Sequence, residues 1–382
     1  MAVRPEYHVQ VPQNTPLPDF ARIDPEVRRE LRKLRCLDNW HGPLHLMADY
    51  LVVALCIWLT IGVSWWFYPP AIVLIGSTQR ALVNLLHESS HKVLTRNQSL
   101  NVFLGTIPTG YLVLHLYNPY RNTHIGFHHR FLGDPERDPD YVFHRENGLY
   151  DHNSTNFLFF VKNALFAFIG LRSITYLRFV FRDRLLFKSD NVSVSMPVRL
   201  GTERVMIGLT WAVIVSVCAA LDSLHLLLLF WIVPLLTSYV VIGWFSELAE
   251  HFPLPESENG QVLLTRNRHG WAVERYLFGR HHDCYHLVHH LNTGIPFWNM
   301  KRAHRALLAD DGYRMWDSMW GGIFTRSRSR PGTETLISYT SKYRMWRRGG
   351  GSLEPLPLTF AQYQMIAARP GNGEAPAADG TP

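Results

Sequence analysis

Cysteine is scarce and unpaired in this chain: four residues in 382, at Cys36, Cys56, Cys218 and Cys284, with no CxxC pair and no disulfide-like framework. That argues against a ferredoxin-type iron–sulfur cluster, and no His-Pro-Gly-Gly haem motif or glycine-rich dinucleotide fingerprint is present either. The amino terminus lacks a short apolar signal region with a cleavage site, so membrane insertion is expected to rely on the first internal span. Charged residues make up only 18%. The net charge of +7 comes from basic residues beside apolar runs, not from one basic stripe. The positive-inside rule accounts for that placement, and no nucleic-acid partner is expected.

What the chain does have is apolar sequence in blocks. A mean hydropathy of −0.06 hides long apolar runs alternating with stretches dense in His, Arg and Asp. Twelve Trp and sixteen Tyr suit a membrane interface. Residues 46–68 are uncharged after Asp49 and long enough to cross a hydrocarbon core, with Pro69-Pro70 expected to break the run. The next run, 71–86, carries Gln79, Arg80 and Asn84, and Arg80, Asn84, His87 and His91 fall on one helix face. Polar groups at membrane depth turn inward, so that face is expected to line a polar interior. Residues 101–116, broken by Gly105, Pro108 and Gly110, read as a re-entrant or interfacial piece, and 156–188, with Lys162, Arg172, Arg178, Arg182 and Arg184, as interfacial helices. Two clean spans, 204–221 and 224–244, are separated by Asp222-Ser223 and predict a second hairpin. At the ends, residues 1–20 read as a loose arm and 25–35 as a basic helix on a membrane surface or in solvent. From Gly349 a disordered tail is expected.

Histidine carries the chemistry. His87 and His91 are four apart; His124, His128 and His129 form a second box; His286, His289 and His290 form a third. Side chains three or four apart share a helix face, and neutral imidazole is the commonest nitrogen ligand for iron, copper and zinc. Eight box histidines outnumber one tetrahedral zinc site and suggest two metal ions. With two hairpins, an even number of crossings leaves the amino terminus and all three boxes on the basic, cytoplasmic face, where the boxes can meet. His282, four before His286, shares its face if that helix extends so far; His115, His144, His152, His269, His281 and His304 read as structural or surface residues. The acidic loop 133–140 could hold the histidines' second ring nitrogens. One alternative is that His87-Glu88-Ser89-Ser90-His91 matches HExxH, the helix of a zinc protease in which the glutamate is the base. A histidine-rich metal-binding membrane protein is another.

In order and spacing, His87-x3-His91, His124-x3-His128-His129 and His286-x2-His289-His290 resemble the three histidine boxes of the membrane fatty acid desaturase superfamily, which includes hydroxylases and ketolases. The resemblance covers roughly residues 45–305. It implies an all-α membrane protein, with four transmembrane helices in two hairpins under a helical cytosolic cap that holds a dinuclear metal site. It further implies two iron ions, dioxygen as co-substrate, and desaturation of a fatty acyl or lipid-like chain. The alternative within the superfamily is oxidation of a lipid or small amino-acid-derived metabolite. Electrons would come from a separate ferredoxin, rubredoxin or cytochrome b5 with its reductase, docking on basic residues such as Arg130, Arg266 and Arg268. An Asn-x3-His pair follows the fourth span in acyl-CoA desaturases. Glu247-x3-His251 stands there in this chain, which makes His251 a further expected ligand and Glu247 a possible one, with Glu250 its competitor. The expected division is an arm and interfacial helix at 1–44, the desaturase-like domain at 45–305, a cap segment at 306–348 and a tail at 349–382.

Overall fold

The computed structural model describes residues 23–187, 193–256, 261–327, 333 and 335–349, and every regular element among them is helical. The expected arm at 1–20 and the expected tail after Gly349 lie outside the described residues. Asp24 caps the first helix, Pro25–Lys33, by accepting from the Glu26 amide at 2.6 Å, and Arg32 and Lys33 close its last turn. Its buried edge, Val27 and Leu31, packs on the helix Phe297–Leu307, so its apolar side faces protein, not lipid.

Among the described residues, three helices are long and apolar enough to cross a membrane: His41–Val63, Leu200–Ala220 and Leu224–Glu250. The count rises to five if each of two bent pairs, Gln98–Val113 with Tyr117–Phe131 (96°) and Asn156–Phe168 with Ser173–Leu185 (77°), is one span. Tyr68–Ser90 has the length, at 23 residues, but is diluted by Gln79, Arg80, Asn84 and its histidine end. The chain turns after Val63 through Ser64 and Trp65–Phe67, not at the prolines. Pro69 and Pro70 open the next helix, where a missing N–H costs nothing. Leu51, Leu55, Trp58, Trp65 and Trp66 of this hairpin are exposed, as lipid-facing residues are.

Three contacts tie these helices to the histidine region. Gly76 lets Tyr68–Ser90 lie against Ser238–Glu250, since an added Cβ would sit 2.1 Å from Ser238 Oγ and 2.7 Å from the Tyr239 amide nitrogen. Asp49, buried inside the first span, meets Arg280 at 2.5 Å and His281 at 2.7 Å. Glu203, fully buried at the start of Leu200–Ala220, accepts from the amides of Tyr117 and Asn118 at 2.7 and 3.0 Å, anchoring the segment that leads into the second box. The cap core continues past residue 305 through Trp316, Trp320, Tyr339 and Tyr343.

Candidate metal centre and its cavity

Each box reaches the centre by a different local route. His87 ends Tyr68–Ser90 and His91 follows at its cap. The second box sits on a widened turn, Asn122–His128, in which the helix opens to π geometry before His129–Phe131. Such openings re-aim side chains that a regular helix would leave at fixed intervals. Before the third box, His281 and His282 both take left-handed conformations (φ 55° and 60°), and a fresh helix, His286–Leu291, starts beyond them. That break is why His282 does not share the face of His286.

The routes converge on two groups. His87, His91, His124, His129 and His289 form one; His128, His251, His286 and His290 form the other. Within each group the ligand atoms lie within 4.8 Å of one another. The Nε2 atoms of His87 and His289 are 3.0 Å apart, those of His129 and His124 2.9 Å, and those of His289 and His129 3.1 Å. In the second group His286 Nε2 lies 3.1 Å from the Nε2 atoms of both His251 and His290. Two nitrogens about 2.1 Å from one ion and at right angles to each other are about 3.0 Å apart, so these spacings fit coordination.

Hydrogen bonding supports the fit. A neutral imidazole has one donor and one acceptor nitrogen, which cannot satisfy several lone pairs aimed at one point. His91 Nε2 is buried with no hydrogen-bond partner among the described residues, which suits a nitrogen that faces a metal ion. The far nitrogens of two rings are held: His251 Nδ1 donates to the Leu264 carbonyl at 3.0 Å, and His128 Nδ1 lies 3.2 Å from Asp138 Oδ1. The first contact leaves His251 Nε2 with its lone pair toward the group; in the second, Asp138 holds the His128 proton on Nδ1, so that the neutral ring presents Nε2 as the ligand atom. Burial first, then repulsion among neighbours, pushes His286, His289 and His290 well below the ordinary histidine range, so these rings are neutral.

Residues 63–320 match the sequence profile of the Fatty acid desaturase family. The chain belongs to the fatty acid desaturase family. It is also 40% identical over 303 residues to dihydrorhizobitoxine desaturase of Bradyrhizobium elkanii, a match covering 79% of this chain and 84% of that relative. The chain is thus a desaturase-family oxidoreductase, and the protease alternative falls. The structure gives the physical counterpart: Glu88 is buried and accepts from the Phe297 amide at 2.8 Å, holding the start of a cap helix in place of serving as a base.

Other expected residues are placed differently. Glu247 belongs to neither histidine group; its carboxylate lies 3.9 Å from His144 Nε2. Glu250 comes within 3.7 Å of His286 Nε2 and pairs with Arg268 at 2.8 Å. Arg266 and Arg268 are buried and cannot receive a docking protein. Arg266 donates to the carbonyls of Leu248, Ala249 and Phe252, closing the end of the helix that carries Glu247. Burial pushes the Cys284 thiol up to about 11, and it joins no metal group. His269, His304 and Asp317 make a further cluster in the cap, in which His269 Nε2 meets Asp317 at 2.8 Å and His304 Nδ1 meets the Tyr313 hydroxyl at 2.7 Å.

A cavity of about 200 Å³ opens on both groups, touching His87 and His124 of one and His128, His251 and His286 of the other. Its walls include Arg80, Tyr120, Asp140, His144, Arg172, Arg184, Tyr239 and Glu247. Arg80 was legible on the polar helix face. Arg184 and His144, from segments read as interfacial or structural, were not, because nothing in their spacing links them to a box.

Proposed function

We propose that the chain is a membrane-bound diiron desaturase that uses dioxygen to remove two hydrogens from adjacent carbons of a small polar molecule. The cavity carries the substrate half of this reading. It offers about 200 Å³ of space beside both histidine groups. Its walls mix apolar side chains such as Val83, Phe143, Phe179 and Trp244 with arginines and carboxylates, so a molecule carrying charged or polar groups as well as carbon matches them better than an aliphatic tail alone, against which the charges would lose solvation. A small metabolite therefore fits better than a long fatty acyl chain, and dihydrorhizobitoxine, named for the relative, is a candidate.

The ligands proposed are His87, His91, His124, His129 and His289 for one iron, and His128, His251, His286 and His290 for the other. Two irons held there supply oxygen activation against an unactivated C–H bond. The chemistry balances as one C=C bond formed, two hydrogens lost from substrate, and dioxygen reduced to two waters with two further electrons and protons. No haem or cysteine cluster is encoded, so those electrons come from a ferredoxin, rubredoxin or cytochrome b5 with its reductase. The membrane stalk proposed is two hairpins, His41–Val63 with Tyr68–Ser90 and Leu200–Ala220 with Leu224–Glu250, with the amino terminus and metal site on the cytoplasmic side. Its basic flanks support that orientation.

Iron-loaded protein in lipid nanodiscs, supplied with ferredoxin, its reductase and dioxygen, is given dihydrorhizobitoxine and, separately, a stearoyl substrate. The reading predicts an oxygen-dependent product lighter by two hydrogens from the first and none from the second. Conversion of the stearoyl substrate alone would restore the acyl reading.

A further inference from the structure

Seven charged residues line the cavity beside the histidine groups: Arg80, Asp140, Arg172, Arg184, Glu247, Glu250 and Asp283. Five have close partners in the protein. Arg184 donates to Thr123 and reaches Asp140 at 3.4 Å. Arg172 donates to Asn163 and to the Asn147 carbonyl. Arg268, from outside the cavity, takes Asp283 at 2.7 Å and Glu250 at 2.8 Å.

Arg80 and Glu247 are the two left over. Among the described residues the Arg80 guanidinium makes no hydrogen bond; its Nε is buried without a partner, and its one ion pair is a 4.0 Å approach to Asp283, which Arg268 already holds. The Glu247 carboxylate accepts no hydrogen bond from a described residue and has only His144 Nε2, at 3.9 Å. A guanidinium offers five donors in a fork that matches a carboxylate, and a carboxylate is the natural acceptor for an ammonium group. Both groups face the cavity short of protein partners, so a ligand there can bring the complements.

Their placement suits one molecule. Tyr68–Ser90 and Ser238–Glu250 both run toward the histidine groups and touch where Gly76 meets Ser238. Counting from that contact, Arg80 is four residues on and Glu247 nine, and both side chains line the one cavity that also touches the two histidine groups.

We propose that the cavity is a zwitterion subsite, in which Arg80 takes the carboxylate and Glu247 the ammonium group of an amino-acid substrate, fixing which of its carbons faces the histidine groups. This rests on the desaturase reading above and narrows its substrate to molecules carrying both charges. Glu247 then acts on substrate, not as a metal ligand.

The test is direct binding, independent of turnover. Saturation-transfer NMR on the iron-loaded protein in nanodiscs compares norleucine, hexanoic acid and hexylamine, which share an aliphatic chain and differ in their charges. The wild type should bind norleucine at least about tenfold more tightly than either single-charge probe, the equivalent of about 1.4 kcal/mol. Arg80→Gln should bind norleucine no better than the amine, and Arg80→Lys should recover part of the loss. Glu247→Gln should bind it no better than the acid, with iron content unchanged. A general structural defect would weaken all three probes together. Equal binding of the three by the wild type, no norleucine binding, or iron loss in Glu247→Gln each overturns the proposal. Conversion of an uncharged chain would sink the zwitterion site while leaving the desaturase standing; zwitterion binding with no oxidation in any assay would do the reverse.

Discussion

The two histidine groups differ in number and in support. One gathers five nitrogen ligands; His289 Nδ1, on the far side of its ring, has no hydrogen-bond partner among the described residues, and His87 Nδ1 has only a 3.6 Å approach from Glu88. The other gathers four, with the far nitrogens of His128 and His251 held by Asp138 and the Leu264 carbonyl. The first thus relies on ligand number, the second on orientation of fewer ligands from outside. The four-membered group also contributes three rings to the cavity wall against two from the other. A position with fewer protein ligands, rigidly held and facing substrate, is where room for dioxygen is expected.

The strongest way to break this contrast is to remove one ring from each group. His286→Ala leaves three nitrogens in the smaller group and should cut iron from about two to about one per chain, abolishing product formation. His91→Ala leaves four nitrogens in the larger group and should retain near two. Equal losses, read by elemental analysis of the purified variants, would contradict the asymmetry. Asp138→Asn sharpens it: the His128 contact weakens, and iron affinity should fall about 10–100-fold at one position only, visible as a biphasic chelator titration. A monophasic titration would mean the groups share their support. The smallest effect is expected from Glu88→Gln. Its buried link to the Phe297 amide weakens at a cost of about 1–3 kcal/mol in thermal or denaturant unfolding, while iron content and product formation persist. Loss of the chemistry with the fold intact would revive the role of Glu88 as a base.

The boxes were legible because ligand spacing on a helix is local: His87 and His91 need only a turn of regular helix. Their convergence with two distant boxes was expected from four spans in two hairpins, whereas three helices among the described residues, or up to five, are long and apolar enough to cross. Geometry set by backbone irregularity was not legible. The left-handed pair His281 and His282 separates His282 from the third box, and nothing in the sequence marks it. The second box gains its aim from a widened turn for the same reason. Burial of charge was misjudged where the partner is distant: Arg266 and Arg268 read as surface cations, yet one closes a helix on three carbonyls and the other balances two carboxylates. His251, at φ −124°, has already left helical geometry; its ring joins the four-membered group, while Glu247 lines the cavity and Glu250 lies 3.7 Å from His286 Nε2.

The most direct measurement is the metal itself. Mössbauer spectroscopy on protein expressed in iron-57 medium, with elemental analysis of the same sample, should give close to two irons per chain as a coupled pair with two distinguishable sites, one for each histidine group. One zinc per chain, or iron in a single uncoupled environment, would contradict the account.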